Sequence, residues 1–235
     1  MRRFGQDKSG RTDIVSKKIL EYINAYTTAK SENEKGLLIE EIRELFSNQY
    51  EYLLQYGPKS NWRIQAEILI ALGYPCVKPI LSRAFEWLQD LNWPGAREIR
   101  NELLCKVDKT ELVYSFGEAL QKAFKIGDSE WLYGLSLFAE DVHFTKDDFT
   151  DKDNTYDILL YYGSVYEDGE LRNDYKDKSF ELLYAWGFPR IEQFIHCILA
   201  ELSHELPHST YWNQYVKLLD LIPCEVRDKI VRKIL

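Results

Sequence analysis

The apolar residues of the chain recur every third or fourth position, which is the period of an amphipathic helix and not of a strand. Three stripes show this spacing best: Ile64, Ile68, Ala71 and Leu72; Val77, Leu81, Ala84, Phe85 and Leu88; and Ile191, Phe194, Ile195, Ile198, Leu199 and Leu202. The pattern predicts an all-α protein of about 11–12 helices. They cover residues 12–28, 33–55, 61–72, 76–91, 94–105, 109–125, 129–140, 154–162, 173–186, 190–206, 209–221 and 224–234. Most of the segment 141–172 has no clear period and fits a loop, a hairpin or a short helix.

An internal repeat is visible at an offset of 114 residues. Residues 67–75 align with residues 181–189 without gaps, and both segments end in a glycine–aromatic–proline corner. Glycine suits the left-handed residue after a helix, and proline suits the first turn of the next one. Such a hairpin cannot bury its apolar face alone, so neighbouring hairpins stack, as in HEAT-type solenoids. The alternative is a chance similarity between two amphipathic hairpins.

Two helix starts carry recognisable caps. Either Asp90 or Asn92 can cap a helix that begins near Pro94. Asp108 followed by Glu111 predicts a variant of the capping box at the start of helix 109–125.

We predict one continuous domain with four parts. They are an N-terminal hairpin at 1–60, a helical unit at 61–140, an acidic, tyrosine-rich connection at 141–172 and C-terminal hairpins at 173–235. A chain of 235 residues buries enough surface to fold without a disulfide or a metal. Its four cysteines include no C-x-x-C pair, which matches neither a disulfide framework nor a zinc site.

Negative charge is concentrated in one segment. The net charge is −8, and residues 140–181 contain 13 acidic against 5 basic side chains. An acidic protein repels nucleic-acid phosphates, so we predict no nucleic-acid partner. A local acidic field attracts a basic protein, and we predict Asp147, Asp148, Asp151 and Asp153 as contacts for such a partner. The alternative is a solvated loop region without a partner.

The predicted location is the cytoplasm. No apolar run resembles a signal peptide, and none reaches the 18 residues that a membrane span needs. We therefore expect no membrane partner and reduced cysteines. The sequence leaves the oligomeric state open.

One stretch resembles a known family. Leu72-Gly73-Tyr74-Pro75, followed by E-W-L-Q-D-L-N-W-P at residues 86–94, is similar to the pattern of DUF5071, a family of uncharacterised bacterial proteins. The similarity covers residues 65–105. It implies small HEAT-like helical units without an established activity, similar in style to the immunity proteins of bacterial toxin systems.

Residues 86–94, the tryptophan segment, allow two interpretations. In the structural one, Trp87 joins the buried stripe and Trp93 folds back onto the helix that begins near Pro94. In the functional one, Trp87, Asp90 and Trp93 line a groove that grips a partner peptide. Both interpretations stay open at this point.

Elsewhere the candidate motifs are incomplete. His204-Glu205-Leu206-Pro207-His208 matches the zinc-protease motif H-E-x-x-H, but Pro207 ends the helix that would present both histidines on one face. The acidic residues from Asp151 onward do not complete a calcium loop, because Tyr156 and Tyr162 occupy the glycine and glutamate positions. His196 and Cys197 are adjacent on a helix, and we expect them not to face each other. We predict no catalytic residue, metal site or cofactor.

Two functions follow from different classes. The first is a protein–protein interaction module, in its most specific form an immunity-type protein that blocks a cationic toxin domain. The alternative is a metal-dependent hydrolase that uses His204, Glu205 and His208.

Overall fold

The computed structural model of the protein describes residues 10–46, 49–54, 57–149, 155–163 and 175–234. Those residues form twelve α-helices and contain no strand, so the all-α prediction is confirmed. The helices are α1 (Gly10–Thr28), α2 (Glu32–Phe46), α3 (Trp62–Leu72), α4 (Leu81–Ala84), α5 (Ala96–Glu98), α6 (Lys109–Ile126), α7 (Ser129–Asp141), α8 (Thr155–Tyr162), α9 (Tyr175–Trp186), α10 (Ile195–His204), α11 (Thr210–Asp220) and α12 (Cys224–Ile234). The stacking of hairpins into a superhelix stays a prediction.

Four predicted helices are not continuous α-helices, and one of them, helix 190–206, begins with a 3₁₀ segment before α10. Helix 33–55 ends at Phe46, and helices 76–91 and 94–105 are divided into short α, 3₁₀ and π segments. Pro79 has no N–H to donate to the preceding turn. Gly95 adopts a left-handed φ of 88°, so regular helix resumes only at Ala96. The 3₁₀ segments are Tyr50–Leu53, Lys59–Asn61, Lys78–Ile80, Phe85–Gln89, Leu104–Lys106, Lys146–Asp148 and Arg190–Phe194, and the π segment is Ile99–Leu103.

The predicted caps are partly correct. Asp108 is the N-cap of α6, and its Oδ1 accepts a hydrogen bond from the Thr110 N–H at 2.9 Å. Glu111 does not complete a capping box, because its carboxylate pairs with Lys78 at 2.5 Å. Neither Asp90 nor Asn92 caps a helix at Pro94, since the N-cap of α5 is Gly95.

The chain divides into two compact units, and the prediction of one continuous domain stays a prediction. The N-terminal unit comprises residues Met1–Phe144, and the C-terminal unit comprises residues Thr145–Leu235. The predicted connection 141–172 therefore belongs mainly to the C-terminal unit. Its described part contains the short helix α8, which agrees with the prediction for residues 154–162.

The core of the N-terminal unit is rich in phenylalanine. Phe85 contacts Phe116 and Phe138 edge to face, with ring centroids 5.6 Å and 5.1 Å apart. Phe144 lies 4.8 Å from Phe116 and closes the cluster. These rings join α6 and α7 to the 3₁₀ segment Phe85–Gln89, whose C-terminal end begins one wall of the candidate groove described below.

The core of the C-terminal unit centres on Phe194. Tyr161 and Trp186 pack against this ring, with centroids 4.7 Å and 5.4 Å away. Phe180 contacts Tyr215 at 4.6 Å and joins α9 to α11. The apolar stripe predicted for this hairpin is buried at Ile191, Phe194, Ile195 and Ile198.

The predicted repeat has the same local geometry in both copies. The N–H of Gly73 bonds to the Leu69 carbonyl, and the N–H of Gly187 bonds to the Leu183 carbonyl. Both glycines are left-handed, with φ of 63° and 60°. After the corner, α4 and α10 begin 114 residues apart, and so do α5 and α11. This agreement of hydrogen bonds and helix starts favours a repeat over chance similarity.

Candidate partner-binding groove

Glu86, the first residue of the tryptophan segment, is a buried carboxylate. It pairs with Lys122 of α6 at 2.6 Å, and Lys122 also lies 5.6 Å from the ring centre of Trp131. The indole N–H of Trp131 donates to the Phe85 carbonyl at 2.8 Å. A buried charge needs such a partner, so these contacts tie the segment firmly to α6 and α7.

Trp87 is completely buried, which favours the structural interpretation of this residue. Gly95 makes room for its ring, because a Cβ at Gly95 would lie 2.6 Å from Trp87 Cζ3 and 2.5 Å from the Ala66 Cβ. Trp93 packs edge to face on Trp62 of α3, with ring centroids 5.1 Å apart. Both tryptophans of the segment therefore fix it against α3.

Asp90 turns the chain between the two tryptophans. Its Oδ1 accepts a hydrogen bond from the Asn92 N–H at 2.8 Å, and its carbonyl accepts one from the Trp93 N–H at 2.9 Å. This is the Asx-type turn that aspartate favours. The side chain of Asn92 is left exposed.

Helix α7 approaches the segment unusually closely at Gly134. A Cβ at this position would lie 2.0 Å from the Leu88 carbonyl oxygen, a distance that no side chain tolerates. Asp128 caps the same helix by accepting a hydrogen bond from the Trp131 N–H at 3.0 Å. Glycine at 134 therefore sets how far α7 stands from the segment.

A groove of about 450 Å³ opens between these two elements. Residues 88–92 form one wall, and Ser129, Glu130, Tyr133 and Gly134 of α7 form the other. The carboxylates of Asp90 and Glu130 give the groove negative charge, and the Tyr133 side chain is 60% exposed. The volume accommodates a few side chains of a peptide.

The three contact residues predicted in the tryptophan segment do not lie together in the groove. Asp90 lines the groove, Trp87 lies in the core, and Trp93 lies against α3. Glu130 and Tyr133 were missed, because on the sequence they look like ordinary exposed positions of α7.

The predicted acidic contacts belong to the C-terminal unit. Asp147 is exposed, whereas Asp148 accepts hydrogen bonds from the Thr145 N–H at 2.6 Å and hydroxyl at 3.0 Å. Asp148 thus has a local capping role. Asp151 and Asp153 lie outside the described residues, as does the start of the calcium-like pattern.

The H-E-x-x-H match does not form one helical face. α10 ends at His204, Glu205 is extended, and His208 has a left-handed φ of 67° with its ring 5.1 Å from Trp212. Within the described ranges, no group of three or more metal-ligating side chains occurs.

Cys197 and His196 do contact each other, contrary to the sequence prediction. The Cys197 Sγ lies 3.2 Å from His196 Nε2 and 2.7 Å from the Tyr162 hydroxyl. Neighbouring positions on a helix point in different directions, but the rotamers of these two side chains bring their terminal atoms into contact. Burial raises the pKa of the Cys197 thiol to about 11, so it is protonated and a poor nucleophile at neutral pH.

Comparison with known proteins adds one finding. Residues 59–149 match the family model of DUF5071, a domain of unknown function. Residues 59–149 are therefore similar in sequence to this family. The match is wider than the resemblance at residues 65–105, and it includes both walls of the groove. No curated protein and no solved structure matches the chain. In the described part of the chain, no helix is both long and apolar enough to cross a membrane.

Proposed function

We propose that the protein is a protein–protein interaction module whose DUF5071-like domain binds a basic partner in the groove between the tryptophan segment and α7. One observation carries the proposal. The segment that makes the family resemblance specific forms a wall of an open groove, and Asp90, Glu130 and Tyr133 line that groove. A carboxylate pair beside an exposed aromatic ring complements a cationic peptide.

The charge of the whole chain supports the same partner class. A net charge of −8, which arises from residues 140–181 and not from the groove, attracts basic proteins to the chain and accelerates their association. In its most specific form, the proposal is a bacterial, cytoplasmic immunity-type protein with stacked HEAT-like hairpins that blocks a cationic toxin domain.

The hydrolase alternative finds less support. It requires His204 and His208 on one helical face, and the first ends α10 while the second lies in a left-handed turn.

A random-peptide display library selected against the full chain tests the proposal. We expect the enriched peptides to be rich in lysine and arginine. We expect them to lose binding to a variant that combines Asp90→Asn, Glu130→Gln and Tyr133→Ala. The asparagine retains an Oδ1 that can accept the hydrogen bond from Asn92, so the turn is preserved.

The matched control combines Glu102→Gln and Glu118→Gln, which remove two exposed charges of the N-terminal unit outside the groove. We expect this control to retain the peptides. Equal loss in both variants would show that binding follows net charge alone, and the proposal would then be wrong. Absence of any enriched peptide on the folded protein would also contradict it.

A further inference from the structure

The chain repeatedly holds a cation between a carboxylate and an aromatic ring. The described residues include four such triads, each with a short ion pair and a cation within about 6 Å of a ring centre. They are Glu32–Lys35–Tyr26, Glu111–Lys78–Tyr74, Glu86–Lys122–Trp131 and Asp157–Arg190–Trp186. In each triad all three members come from the same unit.

Among the four triads, Arg190 lies nearest to its aromatic ring and makes two hydrogen bonds with its carboxylate. Its Nε donates to Asp157 Oδ2 at 2.6 Å, and a second guanidinium nitrogen bonds the other carboxylate oxygen. The guanidinium lies 4.3 Å from the centre of the Trp186 ring, whereas the lysines of the other triads lie 5.3–6.0 Å from theirs. A planar guanidinium can stack on a ring and bind a carboxylate with two hydrogen bonds, and an ammonium cannot.

The groove contains two members of such a triad and lacks the third. Tyr133 supplies an exposed ring, and Asp90 and Glu130 supply carboxylates. Among the described residues, no cation pairs with either carboxylate or lies over this ring. Asp90 uses Oδ1 for the Asn92 N–H, which leaves Oδ2 available to a ligand.

We infer that the groove is completed by an arginine side chain of the partner, stacked on Tyr133 and bonded to Asp90 and Glu130. The inference rests on the proposed function and names the anchor of the partner peptide. Arginine is favoured over lysine because the groove is lined by an aromatic ring and carboxylates, the same kinds of group that hold Arg190 in the C-terminal unit. Leu88 and Gly134 line the same groove and can contact the methylene groups of the side chain.

Three pentapeptides with arginine, lysine or citrulline at the centre and neutral flanks test the inference by NMR titration of the full chain. Citrulline keeps the shape of arginine and removes its charge. We expect the arginine peptide to shift the amide signals of residues 88–92 and 129–134, with roughly millimolar affinity. The lysine peptide should bind about two- to fivefold more weakly, and the citrulline peptide about tenfold more weakly.

Two substitutions at one position separate the ring from its hydroxyl. Tyr133→Phe keeps the ring and should preserve arginine binding within about twofold. Tyr133→Leu removes the ring and should weaken arginine binding about two- to fivefold, with little effect on the citrulline peptide. Tyr133 is exposed and its side chain has no partner in the described chain, so both variants are expected to fold.

Several results would overturn the inference. They are equal binding of the arginine and citrulline peptides, saturable shifts only outside the groove, or no saturable shift at about 20 mM peptide. The display library could yield basic peptides that depend on the groove while arginine shows no advantage over lysine. That result would support the interaction function and show that the inferred arginine anchor is wrong. If the library yields none, the interaction function itself fails.

Discussion

The 114-residue offset pairs the tryptophan segment with residues 200–208 of the C-terminal unit, and the two regions differ although the corners before them are similar. In the N-terminal unit residues 85–89 form a 3₁₀ segment, whereas the corresponding residues 199–203 belong to the regular helix α10. Buried Trp87 corresponds to exposed Glu201, which accepts a hydrogen bond from the Tyr215 hydroxyl at 3.5 Å. Leu88 is fully buried beneath α7, whereas Leu202 is half-buried.

This comparison separates two roles of one sequence pattern. The glycine–aromatic–proline corner builds a hairpin in both units, because its hydrogen bonds are local. The groove requires in addition Trp87, the Asp90 turn and the close approach of α7 at Gly134. The corner therefore forms the same helix-ending turn in both units, and the residues that follow it form the candidate groove.

The largest expected effect comes from Trp87→Ala. Removal of a fully buried tryptophan from a packed cluster costs about 3–5 kcal/mol of the free energy of unfolding. Urea unfolding of the full chain, followed by amide signals of the N-terminal unit, measures the loss. The counterpart Glu201→Ala, at an exposed position, should change unfolding of the C-terminal unit by less than about 1 kcal/mol. Similar costs for both would contradict the assignment of Trp87 to the core.

Gly134→Ala should have the next largest effect. The added methyl would meet the Leu88 carbonyl, so α7 must move away from the tryptophan segment. We expect this movement to lower the free energy of unfolding by about 1–3 kcal/mol. We also expect the variant no longer to bind the peptides selected for the groove. Gly36→Ala is the matched control, because a methyl on this residue of α2 meets nothing within 4 Å. That control should stabilise the protein by about 0.5–1 kcal/mol. Unchanged peptide binding by Gly134→Ala would argue against the groove as the site.

The smallest expected effect concerns the cap of α6. The hydroxyl and N–H of Thr110 donate to Asp108 and hold the pKa of its carboxyl below the ordinary value. A carboxyl with a lowered pKa in the folded state stabilises the protein above its unfolded-state pKa and loses that contribution as the pH falls through the folded-state pKa.

Asp108→Ala should therefore lower the urea midpoint at pH 7, and the difference from the unmodified protein should shrink in acid below about pH 4. Urea midpoints measured across this range test the expectation. Asp228→Ala is the control, since Asp228 is an exposed residue of α12 and its loss should matter little at any pH. A difference for Asp108→Ala that stays constant into strong acid would show that the ionised carboxylate is not the stabilising form.

Much of the fold was predictable because its signals are local. Many of the predicted helix starts rest on glycine, proline or cap residues within a turn of the helix, and the starts of α3, α6 and α7 lie within one residue of prediction. The late start of the helix predicted from residue 94 was not predictable, because Gly95 packs against Ala66, which lies far from it in the sequence. The contact between His196 and Cys197 likewise depends on side-chain rotamers that periodicity does not specify.

The sequence by itself determined the all-α class, the repeated corner and the family resemblance. These three rest on the period of the apolar residues, on the turn residues and on one specific string, and none of them depends on tertiary contacts. Only the tertiary structure decided which of those residues line the candidate groove. Trp87 and Asp90 are three positions apart, yet one is buried and the other lines the groove. The second wall comes from α7, about forty residues later, and its distance depends on a glycine packed on the Leu88 carbonyl. Packing between distant segments, which leaves no periodic signal, brought these groups together.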